Sequence, residues 1–244
     1  MFIQVIEGKC SRQDDCRRLM EQWRQELAPA ADGWLGSTYG FTDDDTFVTV
    51  ARFESRDAAM ANSERAEQGA WWAEMEELFD GPVAFADSDD VSVMFDGGSD
   101  SAGFVQVIRG KATDPEALKA MLADTGQLRE MRPDIIGATL ALEPDGSFTQ
   151  TVAFTDEESA RKGEQVEMPE DRRQELEAAM QDVRFLDLHQ PRSRRGPERR
   201  RLRRGRQPPR RLRLTPAPAG GRGPRPPRAR PRGRAPARSG PWRG

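Results

Sequence analysis

FIQVIEGK at residues 2–9 returns as FVQVIRGK at residues 104–111, and this duplication decides the architecture. Self-similarity at a period of about a hundred residues means two copies of one domain, so each copy checks the reading of the other. Further along, the second copy tracks the first through Gly36 and Gly137, Thr38 and Thr139, Phe41 and Leu142, Phe47 and Phe148, and Phe53 and Phe154.

Residues 2–9, 34–42 and 46–54 alternate with the period of two expected of half-buried strands, as do 104–111, 134–143 and 147–154. TDDDT (42–46) and EPDGS (143–147) are polar turns of hairpin length, with Asp145-Gly146 suited to positive φ, so the flanking strands should pair antiparallel. Helical spacing marks 13–28, with Cys16, Leu19, Met20, Trp23 and Leu27 on one stripe, and 114–131, with Leu118, Met121 and Leu122. Thr113 with Glu116, and Thr155 with Glu158, fit capping boxes. The second helix of each copy contains a breaker, Gly69 in one and Pro169 in the other, and residues 82–95 and 183–188 are expected to be closing strands.

The order β-α-β-β-α-β, twice, is the α+β ferredoxin-like split unit, which leaves one sheet face bare. Two tandem units, 1–98 and 99–190, joined by the Gly/Ser/Asp-rich link at 96–103, can bury their bare faces against each other. On its element order, its FxQVI-type first strand and its broken second helix, the chain resembles the dimeric α/β-barrel superfamily, in particular antibiotic-biosynthesis-monooxygenase-like domains in tandem. The resemblance covers roughly residues 1–190. It implies an intramolecular dimeric barrel, a monomeric pseudo-dimer, in which a ligand lies between sheet and helices or inside the barrel.

Charge divides the chain. Residues 1–190 hold 18 Lys+Arg against 40 Asp+Glu, a net −22, whereas 191–244 hold 20 Arg, no Lys and one acid, a net +19. Arg, Pro, Gly and Ala supply 45 of those last 54 residues, too few apolar groups to fold alone, so a disordered tail is expected from Pro191. Three readings stay open: an arm that neutralises nucleic-acid phosphates, a segment that lies on the acidic body and is released by salt, and the out-of-frame product of a GC-rich gene. Nucleic acid is a partner only if the tail is genuine.

Cys10 and Cys16 lack metal or redox spacing and are expected to pack in the core. No signal peptide and no apolar run of membrane-spanning length is evident, so a reduced, cytoplasmic setting without membrane contact is expected. Neither a cofactor nor a metal is called for.

Candidate site residues are few. Gly36, Thr38 and Gly40 form a small face on the second strand that can leave space for a ligand or let two sheets approach. Gln4 and Gln106 are buried mid-strand amides that could satisfy each other across the pseudo-twofold axis or, for Gln4, bind substrate. Arg52, whose counterpart is Ala153, is a ligand candidate or a solvated strand-edge residue. Cofactor-independent quinol monooxygenases of the resembling family hold an electron-rich aromatic with polar and Trp residues on the second helix. That resemblance points to Asn62 and Trp72 as catalytic, with Gln4, Thr38 and Arg52 as substrate contacts. In the haem-degrading branch an Asn on the first strand and a Trp and a His on the second helix are expected; here those places look like Gln4, Asn62 and Trp72, so the haem ligand is missing, and the single histidine, His189, is expected at the surface. The second copy has no aromatic in its second helix, so any site should belong to the first.

Three classes follow. One is a barrel that binds a small aromatic or lipophilic molecule, up to cofactor-independent oxidation of a quinol-type substrate. The others are a structural or interaction protein on the same fold, recognisable by a filled barrel, and a nucleic-acid-associated protein working through its tail.

Overall fold

The structure, a computed structural model, describes residues 1–95, 97–123, 125–166 and 169–196. In the first copy β1 (Phe2–Lys9), α1 (Gln13–Gln22), β2 (Trp34–Phe41), β3 (Thr46–Phe53), α2 (Arg56–Ser63), α3 (Ala66–Glu76), β4 (Ala84–Ser88) and β5 (Asp90–Met94) follow in order. The second copy supplies β6 (Phe104–Ala112), α4 (Pro115–Ala123), α5 (Thr125–Met131), β7 (Ile135–Leu142), β8 (Ser147–Phe154), α6 (Glu157–Glu164), α7 (Glu170–Ala179) and β9 (Met180–Arg195). A π-helical turn at Trp23–Leu27 and a 3-10 turn at Ala28–Ala30 continue α1.

The nine strands of the described residues join one sheet in the order β4-β1-β3-β2-β9-β6-β8-β7-β5. The two ends of that order, β4 and β5, are parted in the chain by Asp89 alone, so the sheet closes on itself as a barrel. Closure works by exchange. β4 pairs with β1 of its own copy while β5 pairs with β7 of the other, and β9 likewise pairs through its first part with β6 and through its end with β2. The expected tandem barrel is therefore present, with Ile3, Val5, Val48 and Val50 packed against Val105, Val107, Ala141 and Ala153 inside it. Outside, Phe2, Phe47, Phe104 and Phe148 are fully buried under the helices, each contributing about 2 kcal/mol or more by leaving water.

Both hairpin turns form as expected, with Gly146 at φ 84 and Asp45 in the matching place at φ 61. Local departures have local causes. The helix starts are capped one residue later than the Thr–Glu pattern suggests: Asp114 accepts from the Ala117 amide at 3.0 Å and Asp156 from the Ser159 amide at 2.8 Å, because a carboxylate is the stronger acceptor for free amides. The break in the second helix of the first copy falls at Glu64 and Arg65, leaving Gly69 inside α3, whereas Pro169 stands at the α7 N-cap, where its missing amide costs nothing.

The last strand does not end at 188. It runs five residues into the basic segment, and Arg192–Arg195 pair with Gly36–Tyr39, because β2 needs a partner on that edge and strand pairing uses backbone rather than side-chain type. A tail beginning at Pro191 is corrected accordingly. The segment from 197 onward lies outside the described residues, and with it the arm, body-docking and nucleic-acid readings. Among the described residues no helix is long and apolar enough to cross a membrane.

Candidate functional site

A half-open cavity of about 590 Å3 lies on the outer face of the sheet in the first copy, between α1, β2, the end of β9 and the link at Asp100–Ala102. Its aromatic wall is Trp23, Trp34 and Tyr39, with the Trp23 and Trp34 rings edge to face at 5.1 Å. Position on the elements explains the wall. Trp23 continues the apolar stripe of α1 into the π-helical turn, and Ser37 and Tyr39 present their side chains on the face of β2 opposite the inward-facing Thr38.

Pseudo-symmetry explains why the space is open. In the second copy the equivalent place is taken by Met94 and Phe95 at the end of β5, which are buried in the core formed by Phe104, Phe148 and Phe154. In register their counterparts are Arg194 and Arg195, since Met94 pairs with Ala138 and Arg194 with Ser37. Long charged side chains do not fill an apolar niche, so a cavity results.

Four arginines, Arg17, Arg24, Arg192 and Arg194, line it against two acids, Glu21 and Asp100. Arg24 is engaged by Glu21, donating from Nε at 2.7 Å, and this holds the Glu21 carboxyl down at about 2. Arg17 lies over the Phe41 ring at 4.6 Å and donates to Gln13 at 3.2 Å. Arg194 adds a further electrostatic pull on the Glu21 carboxyl. Burial raises the Tyr39 phenol against the opposing pull of Arg17 and Arg192, which keeps it a donor at neutral pH. The cavity is thus aromatic and cationic in a strongly acidic body.

The residues singled out from sequence do not come together in one place. Asn62 is buried behind the wall, donating to Gln68 Oε1 at 3.3 Å and accepting from Arg65 at 3.0 Å, while the same Gln68 oxygen accepts from Trp23 Nε1 at 2.6 Å. Trp72 packs in a ring cluster with Trp71, Phe79 and Phe85 and does not line the cavity. Thr38 and Arg52 meet inside the barrel, where Arg52 Nη1 donates to Thr38 Oγ1 at 3.3 Å. Arg52 is 6 % exposed, so the solvated-edge reading of it is corrected.

Gln4 does not face Gln106. Each donates at 3.0 Å to an aspartate on its own closing strand, Gln4 to Asp87 and Gln106 to Asp187, because those residues are in register and a carboxylate is the better acceptor. His189 is half-buried between Glu157 Oε2 at 2.9 Å and Asp43 Oδ1 at 3.3 Å, where β9 crosses from one copy to the other, so it is not a free surface residue. Among the described residues no cluster of three or more His, Cys, Asp or Glu side chains could hold a metal. Trp23, Trp34 and Tyr39 escaped notice as site residues because their spacing is that of core packing. The signal that could have found them is the contrast VSVMF against PRSRR, at 91–95 and 191–195.

No family model matches the chain, and no curated protein does. Solved structures do. A candidate monooxygenase from Fusobacterium nucleatum superposes with a TM-score of 0.65 at 10% identity, covering 80% of this chain and 95% of that one. One from Lactobacillus acidophilus gives 0.60 at 11% identity, covering 77% and 92%. An anthrone oxidase-like protein gives 0.57 at 11%, covering 81% and 94%. The chain has the tandem, monooxygenase-like α/β-barrel fold. At these identities the likeness concerns the fold alone.

Proposed function

We propose that this protein binds a planar, acidic aromatic molecule in the cavity under α1, and that it oxidises such a molecule with dioxygen without a cofactor. The observation that carries the reading is the cavity itself, walled by Trp23, Trp34 and Tyr39, ringed by arginines and closed off in the other copy by Met94 and Phe95. Its volume lies in the range of small-molecule sites.

The chemistry asked of the protein is modest. An electron-rich quinol-type substrate reduces dioxygen itself: a ring methylene of its keto tautomer becomes a carbonyl, one oxygen atom is retained and the other leaves as water with the two hydrogens. Arginines beside the ring favour the ionised, more reducing substrate and stabilise developing oxyanion charge, and a dry aromatic wall strengthens both effects. Tyr39 donates to a substrate oxygen. Asn62 acts at one remove, as a positioning residue, by holding Gln68 against Trp23. This assignment places the ring against Trp23 and Trp34 rather than beside Trp72. Names of the similar structures, a monooxygenase candidate and an anthrone oxidase-like protein, favour an oxidative role.

Oxygen uptake with a panel of dihydroxynaphthalenes and dihydroxynaphthoates tests the reading. Wild-type turnover that falls at least about tenfold in Arg17→Met and Trp34→Phe, with unchanged circular dichroism, is expected. Binding without uptake would reduce the proposal to a ligand-binding protein, and absence of both would overturn it.

A further inference from the structure

A second, much smaller void lies inside the barrel, separate in composition from the cavity under α1. Of about 10 Å3, it is bounded by Thr38, Arg52, Gly98, Thr139, Thr151 and Ala153, with space for a single particle about the size of a water molecule. Its surroundings are unusual for a barrel whose interior is otherwise Val, Ile, Ala and Leu.

Arg52 enters from β3 of the first copy and reaches the second copy's β7 and β8, where its pseudo-symmetric mate is Ala153 and leaves room. It is buried, and among the described residues its side chain donates to Thr38 Oγ1, an oxygen that also accepts from Ser193 at 3.0 Å. Asp100 acts on its guanidinium electrostatically, opposed by Arg195, and among the described residues neither forms an ion pair with it. Across the void the hydroxyls of Thr139 and Thr151, 2 % and 6 % exposed, have no hydrogen-bond partner among the described residues. Gly98 lets the backbone come against the guanidinium, since a Cβ there would stand 2.8 Å from its Cζ. A buried cation needs a counter-charge, and a buried hydroxyl needs an acceptor. Two donor hydroxyls and a guanidinium around a hole of one particle's size specify an acceptor that is negative and small.

We infer that the barrel interior holds a chloride-sized monovalent anion, bound by Arg52, Thr139 and Thr151. Polyatomic anions exceed the void. A water molecule could satisfy one or two of the donors and would leave the guanidinium with no anion in contact, only the field of Asp100. Occupancy also ties the copies together, because the guanidinium comes from one and the two hydroxyls from the other. It braces the link at Gly97–Gly98 and, through Thr38 and Ser193, the end of β9.

The test uses the full chain. Thermal unfolding is followed at constant ionic strength while chloride or bromide replaces gluconate, and crystals are grown in bromide for anomalous diffraction. Expected are a saturable rise of Tm with halide and one anomalous peak between Arg52 and the two threonines. Thr139→Val and Thr151→Val, which keep shape and lose the hydroxyl, are expected to weaken halide affinity about tenfold each, and Arg52→Met to abolish the peak. Should Arg52→Met fail to fold, the threonine variants decide. Equal melting in chloride and gluconate, or an ordered water with no anomalous signal in the void, would overturn the inference.

Discussion

Glu7→Gln should loosen the two copies from each other. Glu7 and Arg109 occupy equivalent places in the duplicated FIQVIEGK and FVQVIRGK strands, and they face each other across the pseudo-twofold axis with Arg109 Nη1 donating to Glu7 Oε2 at 2.8 Å. Arg184 donates to the same carboxylate at 2.6 Å and 2.7 Å. Identical copies would place like charges together here; duplication within one chain allowed a charge pair instead. The Glu7 and Arg109 side chains are 12% and 16% exposed and Arg184 is 51% exposed, so the first pair counts near the buried limit and the second is largely screened. Breaking one side of a buried pair costs about 3–5 kcal/mol, of which the Gln amide oxygen recovers part as an acceptor. A loss of about 2–3 kcal/mol at pH 7 is expected, read from urea unfolding. Burial raises the Glu7 carboxyl, but the bonds from Arg184 and Arg109 outweigh it and hold the group below its ordinary value. Its contribution is therefore complete above the ordinary carboxylate range and disappears as pH falls through the lowered value, so the gap between wild type and variant should close in acid. In a double-mutant cycle with Arg109→Gln, a coupling near zero at pH 7, or a gap that persists unchanged in acid, would refute the reasoning.

Other consequences are equally direct. Gly137→Ala puts a Cβ 1.8 Å from the Gly97 carbonyl oxygen, a backbone clash, and should cost about 3 kcal/mol in chemical unfolding, whereas an unchanged midpoint would mean the link at Gly97 yields freely. Truncation after Gln190 removes the strand that pairs with Gly36–Tyr39 and should lower Tm by about ten degrees or more, while truncation after Gly196 should not; equal melting of the two would show that the β9 extension is dispensable. Cys10 and Cys16 are fully buried, and burial pushes both thiols up, so a thiol reagent at pH 8 should label neither until the chain unfolds. Prompt labelling of the native protein would contradict their packing in the core.

Much of the fold was legible in sequence because the signals are local. Period-two alternation located the first three strands of each copy, and Asp145-Gly146 announced its hairpin. Strand exchange was not legible, since which partner the end of β5 or β9 takes depends on where the chain crosses after folding, and nothing in VSVMF or PRSRR names an edge. The same blindness hid the site. With Pro191–Arg195 counted as tail, one wall of the cavity was missing, and Trp23, Trp34 and Tyr39 had core spacing because they do pack; they line a space only where Arg194 stands instead of a methionine. Asn62 and Trp72 were chosen through the resemblance, and the structure sets Asn62 behind that wall and Trp72 in a neighbouring ring cluster.

Diffraction from crystals grown with a dihydroxynaphthoate addresses the ligand site most directly. The ring is expected against Trp23 and Trp34, with the carboxylate within hydrogen-bond reach of Arg17, Arg192 or Arg194. A ring lodged beside Trp72, or an empty cavity at a concentration that saturates binding in solution, would contradict it.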